Sequence, residues 1–183
     1  MDNLCLETQR LIIREYTYQD LFNVNKLMSD PVAMRYLDRR HNNIEDTEIY
    51  LKNIIEKKSQ DSRKIWKMAI DSKDNMNYIG MISLDVETEY LDNGRADLSY
   101  YILPEHCGMG FAAEAGREII RFGFATLNLN KITAGCLKTN RESEKVMISC
   151  GMIKEAEFRK WTIHEGALTN RVEYGILRED INI

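Results

Sequence analysis

Between Leu98 and Ala115 the chain reads LSYYILPEHCGMGFAAEA. An apolar, aromatic strand pattern runs into Pro104, and a loop with two glycines then opens the longest helical pattern in the sequence. The first amides of a helix have no partner within it, and the helix dipole adds positive potential there. Such a junction is a ready anion site. Gly108 and Gly110 remove the side chains that would hold a diphosphate away from those amides, and Ala112 and Ala113 keep the first turn small. A tight strand-to-helix turn that needs glycine only for its backbone has the same spacing. Two nucleotide motifs compete with these readings. Gly108–Ala113 (GMGFAA) fits G-x-G-x-x-A, but Pro104–Cys107 separate it from its strand, and the next strand ends at Lys138–Thr139–Asn140 with no acid for a ribose. A P-loop needs Lys and Ser/Thr after its second glycine, and Phe111 follows Gly110.

The elements that must position this loop follow from periodicity. Leu11–Glu15 reads as a strand, Tyr18–Ser29 as a helix ended by Asp30–Pro31, Val32–Leu37 as a short turn, and Thr47–Lys58 as an amphipathic helix. Ile65–Ile70 and Tyr78–Val86 form a hairpin around the polar turn Asp71–Asn77. The turn signal Asp92–Asn93–Gly94 precedes a strand at Ala96–Leu103. Gly110–Leu127 is helical, Lys131–Leu137 a strand, Glu142–Ser149 a short helix stopped at Gly151, and Met152–Trp161 with Leu168–Leu177 a closing hairpin around His164–Glu165–Gly166. Hairpin-linked strands followed by one β–α–β crossover indicate an α+β, or mixed α/β, domain. The length of 183 residues suits one domain over residues 1–183, and the two prolines and ten glycines mark no linker.

Composition excludes several classes. A mean hydropathy of −0.43 and the absence of a long apolar run argue against a membrane span, which needs roughly 20 apolar residues. Met1–Arg10 lacks a signal-peptide core, so a cytoplasmic location is expected. The net charge of −4 speaks against nucleic-acid binding and suits an amine-bearing partner. Cys5, Cys107, Cys136 and Cys150 are widely spaced, as are His41, His106 and His164, so no metal motif is present. Trp66 and Trp161 read as core and hairpin packing.

The glycine loop, taken with its flanks, resembles the acetyl-CoA motif of the GNAT N-acetyltransferase superfamily. The nearest likeness is to the branch containing the ribosomal-protein N-terminal acetyltransferases, where a strand and P-E-x-W-G-x-G-x-A-x-E-A carry the cofactor. Pro104, Glu105, Gly108, Gly110, Ala112, Glu114 and Ala115 stand at matching spacings, with Cys107 in place of the usual Trp. Further likenesses run in order along the chain: Leu6–Leu11 to L-x-T-x-R-L, Ser29–Met34 to S-D-P-x-x-M, and Tyr78–Gly80 to x-I-G. Ala96–Tyr100 resembles A-E-L-G-Y, Asn140–Ser143 N-x-x-S, and Cys150–Met152 x-G-F.

The resemblance implies a GNAT-like single domain: a central twisted, mixed, mostly antiparallel sheet with two splayed parallel strands, flanked by helices. It implies acetyl-CoA as cosubstrate, no metal, and an amine acceptor. That acceptor would be a protein N-terminus, such as that of a ribosomal protein, or a small-molecule amine; a homodimer is compatible with it. Backbone groups of Tyr100, Tyr101 and Ile102 would hold the pantetheine, and the amides of Gly108, Met109, Gly110, Phe111, Ala112 and Ala113 the pyrophosphate. Asn140 suits both a pantetheine contact and a helix N-cap. Many members place a tyrosine at the position of Met147 to protonate the leaving thiolate. Methionine cannot, and Ser143 of N-x-x-S is the candidate donor. Asp97 is the candidate general base, with Tyr100, Glu173 and Tyr174 as further polar groups near the cleft. Glu114 reads as a partner of the helix dipole. A non-catalytic acyl-CoA-binding sensor is the alternative function, kept open by Met147.

Overall fold

The computed structural model describes residues 4–37, 43–58, 63–87 and 94–181; His41 and Asp92–Asn93 lie outside them. Eight strands form one sheet in the order β1-β2-β3-β4-β5-β6-β8-β7. The strands are β1 (Cys5–Glu7), β2 (Leu11–Glu15), β3 (Ile65–Ser72), β4 (Tyr78–Glu87), β5 (Arg95–Ile102), β6 (Lys131–Leu137), β7 (Ile153–His164) and β8 (Ala167–Leu177). All neighbours are antiparallel except β5 and β6. That parallel pair is the β–α–β crossover, and its helix is α3 (Phe111–Ala125). Helices α1 (Leu21–Ser29) and α2 (Ile44–Lys58) cover one face of the sheet, while α3 and α4 (Arg141–Ser149) cover the other.

Two apolar clusters account for the layering. On one face Ile119, Ile120, Phe122 and Phe124 of α3, with Met147 of α4, pack on Leu84, Leu98, Ile132 and Val172. On the other, Val24 and Leu27 of α1 and Leu51 of α2 pack on Ala69, Tyr78 and Met81. A strand covered on both faces is apolar along its length, and the first seven residues of β4 are all buried. Removing that much apolar surface from water, at about 25 cal/mol per Å2, is the main force holding the layers together.

No helix among the described residues is long and apolar enough to cross a membrane. Trp66 packs edge-on against Phe122 of the core, and Trp161, 57% exposed on the outer strand β7, packs beside Phe158 on the closing hairpin. The short edge strand β1 overlaps the start of the Leu6–Leu11 motif, and its three residues, exposed, intermediate and exposed, leave no periodic signal of their own.

Candidate active site

Strands β5 and β6 start as a normal parallel pair, matching Arg95 with Lys131, Ala96 with Ile132 and Asp97 with Thr133. Pairing stops there, although β5 continues to Ile102 and β6 to Leu137. Each strand therefore presents a free backbone edge to the gap. On the outer sides of the gap, β4 pairs with β5 and β8 with β6 along their whole lengths, so each parting strand is held by its other neighbour.

The gap is the middle of a continuous cleft of about 860 Å3. Tyr100, Tyr101, Ile102, Gly108, Gly110, Phe111, Ala112, Ala113, Asn140, Ser143 and Asp97 all line it. Met109 differs from its neighbours: its side chain is exposed, and its carbonyl accepts from Arg10 Nη1 at 3.0 Å.

At one end of the cleft lies the glycine loop. A 3-10 turn over Pro104–His106 leaves β5, and the backbone then takes φ of +76° at Gly108 and +81° at Gly110. Both values belong to the left-handed region that favours glycine. A Cβ at Gly108 would meet nothing within 4 Å, so the loop stands open. The first backbone bond into the helix is Glu114 N–H to Gly110 O at 3.0 Å. The amides of Gly108 through Ala113 have no acceptor among the described residues. Six donors in sequence around a left-handed turn and a helix start form an anion cradle, which fits a pyrophosphate.

The loop is braced from behind. Arg10 Nε donates to Glu114 Oε2 at 2.7 Å, Thr8 Oγ1 donates to Glu114 Oε1 at 2.6 Å, and the Arg10 amide reaches the same oxygen at 2.9 Å. The Arg10 guanidinium also lies 4.6 Å from the centre of the Phe111 ring. Hydrogen bonds from Thr8 and Arg10 hold the Glu114 carboxyl below its ordinary range, against the opposing effect of its partial burial. Glu114 is thus a tie between α3 and the β1–β2 turn as well as an acid in the first turn of the helix. Sequence reasoning missed Thr8 and Arg10 as supports of the loop. The signal was present, since both belong to the Leu6–Leu11 motif, but the pairing spans over a hundred residues.

In the middle of the cleft, Asn140 caps α4 by accepting the Ser143 amide at 3.1 Å. Tyr100, on the diverging part of β5, reaches α4: its hydroxyl lies 2.9 Å from the Ser143 carbonyl and 2.8 Å from Ser143 Oγ. Burial pushes the Tyr100 phenol up, so it stays neutral. Met147 is buried in the core and presents no polar group.

At the far end Asp97 points to the opposite face of the sheet from Tyr100, as alternation along a strand requires. Its side chain is exposed to the cleft but walled by protein. That surrounding, followed by the charge of Glu173, pushes its carboxyl up to about 6, with Arg171 opposing. Arg171 and Glu173 form an ion pair lying over Gly135, where a Cβ would have to be. Tyr174 is elsewhere: it donates to Glu144 at 2.9 Å and does not line the cleft. Residues of the segment 31–37 also line the cleft, but beyond the C-terminal end of β6 and away from Asp97. Tyr36 stacks on His164 at 5.0 Å and donates to the Thr139 carbonyl at 3.3 Å.

A sheet opened between two parallel strands, with an anion cradle at one end, can hold an extended diphosphate-bearing ligand. The model of the acetyltransferase (GNAT) domain matches residues 10–153. This chain belongs to the GNAT acetyltransferase family. The GNAT likeness extends over whole relatives. The N-acetyltransferase YoaA of Bacillus subtilis is 28% identical over 173 residues, covering 94% of this chain and 96% of that protein. Among solved structures, the Vibrio cholerae spermidine N-acetyltransferase in complex with CoA and spermine has the same fold, with a TM-score of 0.81 at 20% identity, covering 94% of this chain and 98% of that one. The ribosomal-protein-S5-alanine acetyltransferase of Vibrio fischeri matches with a TM-score of 0.83 at 19% identity, covering 97% and 98%. As a GNAT protein the chain is an acetyl-CoA-dependent acetyltransferase, and the sheet with its two parting parallel strands is the expected fold.

Proposed function

We propose that the protein moves acetyl from acetyl-CoA to a primary amine by direct transfer in a ternary complex. The observation that carries this is the cleft running through the gap between β5 and β6, with Asp97 and Ser143 on different sides of it. Bound acetyl-CoA would supply an activated acetyl thioester. The amides of Gly108–Ala113 would hold the pyrophosphate, and the free edges of Tyr100–Ile102 and of β6 the pantetheine. Asn140 lines the cleft with its Oδ1 engaged in the cap, and its amide nitrogen has no acceptor among the described residues.

Asp97 then takes a proton from the incoming ammonium, so that the amine attacks with its lone pair. When the carbon–sulfur bond breaks, its electron pair stays on sulfur. Ser143 meets that charge with its hydroxyl hydrogen, and the second proton, lost by the acylated nitrogen, passes through water in the open cleft to restore the serine. The acceptor is a protein N-terminus, such as that of a ribosomal protein, or a small amine. Both kinds are named among the proteins of similar fold. We place the reaction in the cytoplasm, which suits four cysteines that form no disulfide. Release of free CoA with a panel of amines and N-terminal peptides tests the proposal. Saturable CoA binding without turnover on any acceptor would overturn it in favour of a sensor.

Asp97 gives a pH prediction with two readouts. Its folded value, about 6, lies above its ordinary 3.8, so the folded protein holds this proton more tightly. The stabilisation is complete below about pH 4 and is lost as pH rises through about 6. Asp97→Asn is therefore expected to raise Tm at pH 7.5 and leave it unchanged at pH 4. In the same variant the fall of kcat/KM below pH 6 should flatten, with a lower plateau. An unaltered pH–rate profile would remove Asp97 as the base.

A further inference from the structure

The contact between Tyr100 and Ser143 contains more information than proximity. A carbonyl oxygen only accepts, so the single phenolic hydrogen of Tyr100 is committed to Ser143 O at 2.9 Å. The tyrosine oxygen then has lone pairs facing Ser143 Oγ at 2.8 Å, and the serine hydrogen points at them. Other acceptors near the start of α4 are already engaged. Thr139 O takes the Tyr36 hydroxyl and the Arg141 amide, and Asn140 O takes the Glu144 amide and the Cys136 thiol. A serine in the first turn of a helix commonly turns back to such carbonyls. Here its readiest oxygen acceptor is the Tyr100 hydroxyl, on the strand across the gap, with the weaker acceptor Cys136 Sγ of β6 as its other neighbour.

We propose that Tyr100 is a positioning residue that sets the direction of the Ser143 hydroxyl hydrogen across the gap between β5 and α4. In the resting protein the hydrogen is parked on the tyrosine oxygen. A thiolate forming in the gap is a charged acceptor, and bonds to charged acceptors are roughly twice as strong as neutral ones. The hydrogen swings to sulfur, while Tyr100 keeps its own bond to the Ser143 carbonyl and holds the start of α4 in place. Tyr100 itself gives up no proton. This inference rests on Ser143 meeting the leaving thiolate.

The test compares Tyr100→Phe, Ser143→Ala and the double variant. Tyr100→Phe keeps the ring, and CoA affinity by calorimetry within about twofold of wild type is the expected sign of an intact site. Its kcat should fall about tenfold with KM for acetyl-CoA unchanged, and the same change made on Ser143→Ala should cost less than about twofold more. A second readout needs no turnover: in a crystal structure of Tyr100→Phe, Ser143 should occupy more than one rotamer. Equal losses from Tyr100→Phe in both backgrounds, or a Ser143 rotamer unchanged from wild type, would overturn the role of Tyr100. If Ser143→Ala turns over like wild type, the donor reading itself fails. If Ser143→Ala is impaired and Tyr100→Phe is not, only the positioning role fails.

Discussion

Gly110→Asp is expected to weaken CoA binding about 100-fold, or about 2.7 kcal/mol, in a chain that remains folded. Three effects act in the same direction. The backbone at Gly110 has a φ of +81°, which any side chain strains, though Asp tolerates it better than most residues. The new carboxylate would stand among six amides without acceptors and take some of them as its own partners, as an N-cap does. It would also place a negative charge at the proposed diphosphate site. Gly110→Ala separates these effects, because its Cβ would meet only Arg10 Nη2, at 3.5 Å. Alanine should therefore lose far less affinity than aspartate. Calorimetry with CoA and the CoA-induced rise in Tm both report the difference. Wild-type affinity in folded Gly110→Asp would remove this loop from the cofactor site.

Ser143→Ala should have the opposite kinetic signature. The cap of α4 uses the backbone amide of residue 143, which alanine keeps, and alanine favours the helix. CoA affinity should stay within about twofold of wild type, while kcat falls about 100-fold, the lower range for losing a positioned proton donor. The effect must lie in kcat because a thiolate exists only after bond breaking has begun, so ground-state binding does not sense the hydroxyl. Stopped-assay measurement of free CoA with a saturating amine checks it. Wild-type turnover would make Ser143 part of the scaffold alone.

How much of this was legible depends on the range of the interaction. Strands β2 and β6 fall at the expected residues, Leu11–Glu15 and Lys131–Leu137, because each alternates buried and half-buried positions cleanly. Boundaries slipped where local chemistry overrode periodicity. Helix α2 starts at Ile44, ahead of the expected Thr47, since Asn43 accepts the Asp46 amide and carries the helix through an acidic first turn. Helix α3 ends at Ala125, two residues before the expected Leu127. Strand β7 runs past the expected Trp161 to His164, through a register break.

The left-handed glycines and the run of amides without acceptors at the loop were readable because they come from consecutive residues. The loop's brace from Arg10 and Thr8, the Tyr100–Ser143 contact and the Arg171–Glu173 pair beside Asp97 were not, because each is assembled by the folded sheet. Motif likeness did flag Arg10, Thr8 and Glu114 as residues, but gave no hint that they are one hydrogen-bonded unit.

The parting of β5 from β6 also has a consequence for solvent. An ordinary interior sheet shields its ladder amides, whereas here the inner edges beyond Asp97 and Thr133 face an open cleft. Deuterium should therefore enter those amides of residues 98–102 and 134–137 that point into the cleft, and not to β4 or β8, far sooner than the amides of residues 95–97 and 131–133. Saturating CoA should slow exchange on the first set and leave the second unchanged. The fault in the sheet would then be visible as a sharp step in protection along two strands, erased when a ligand fills it.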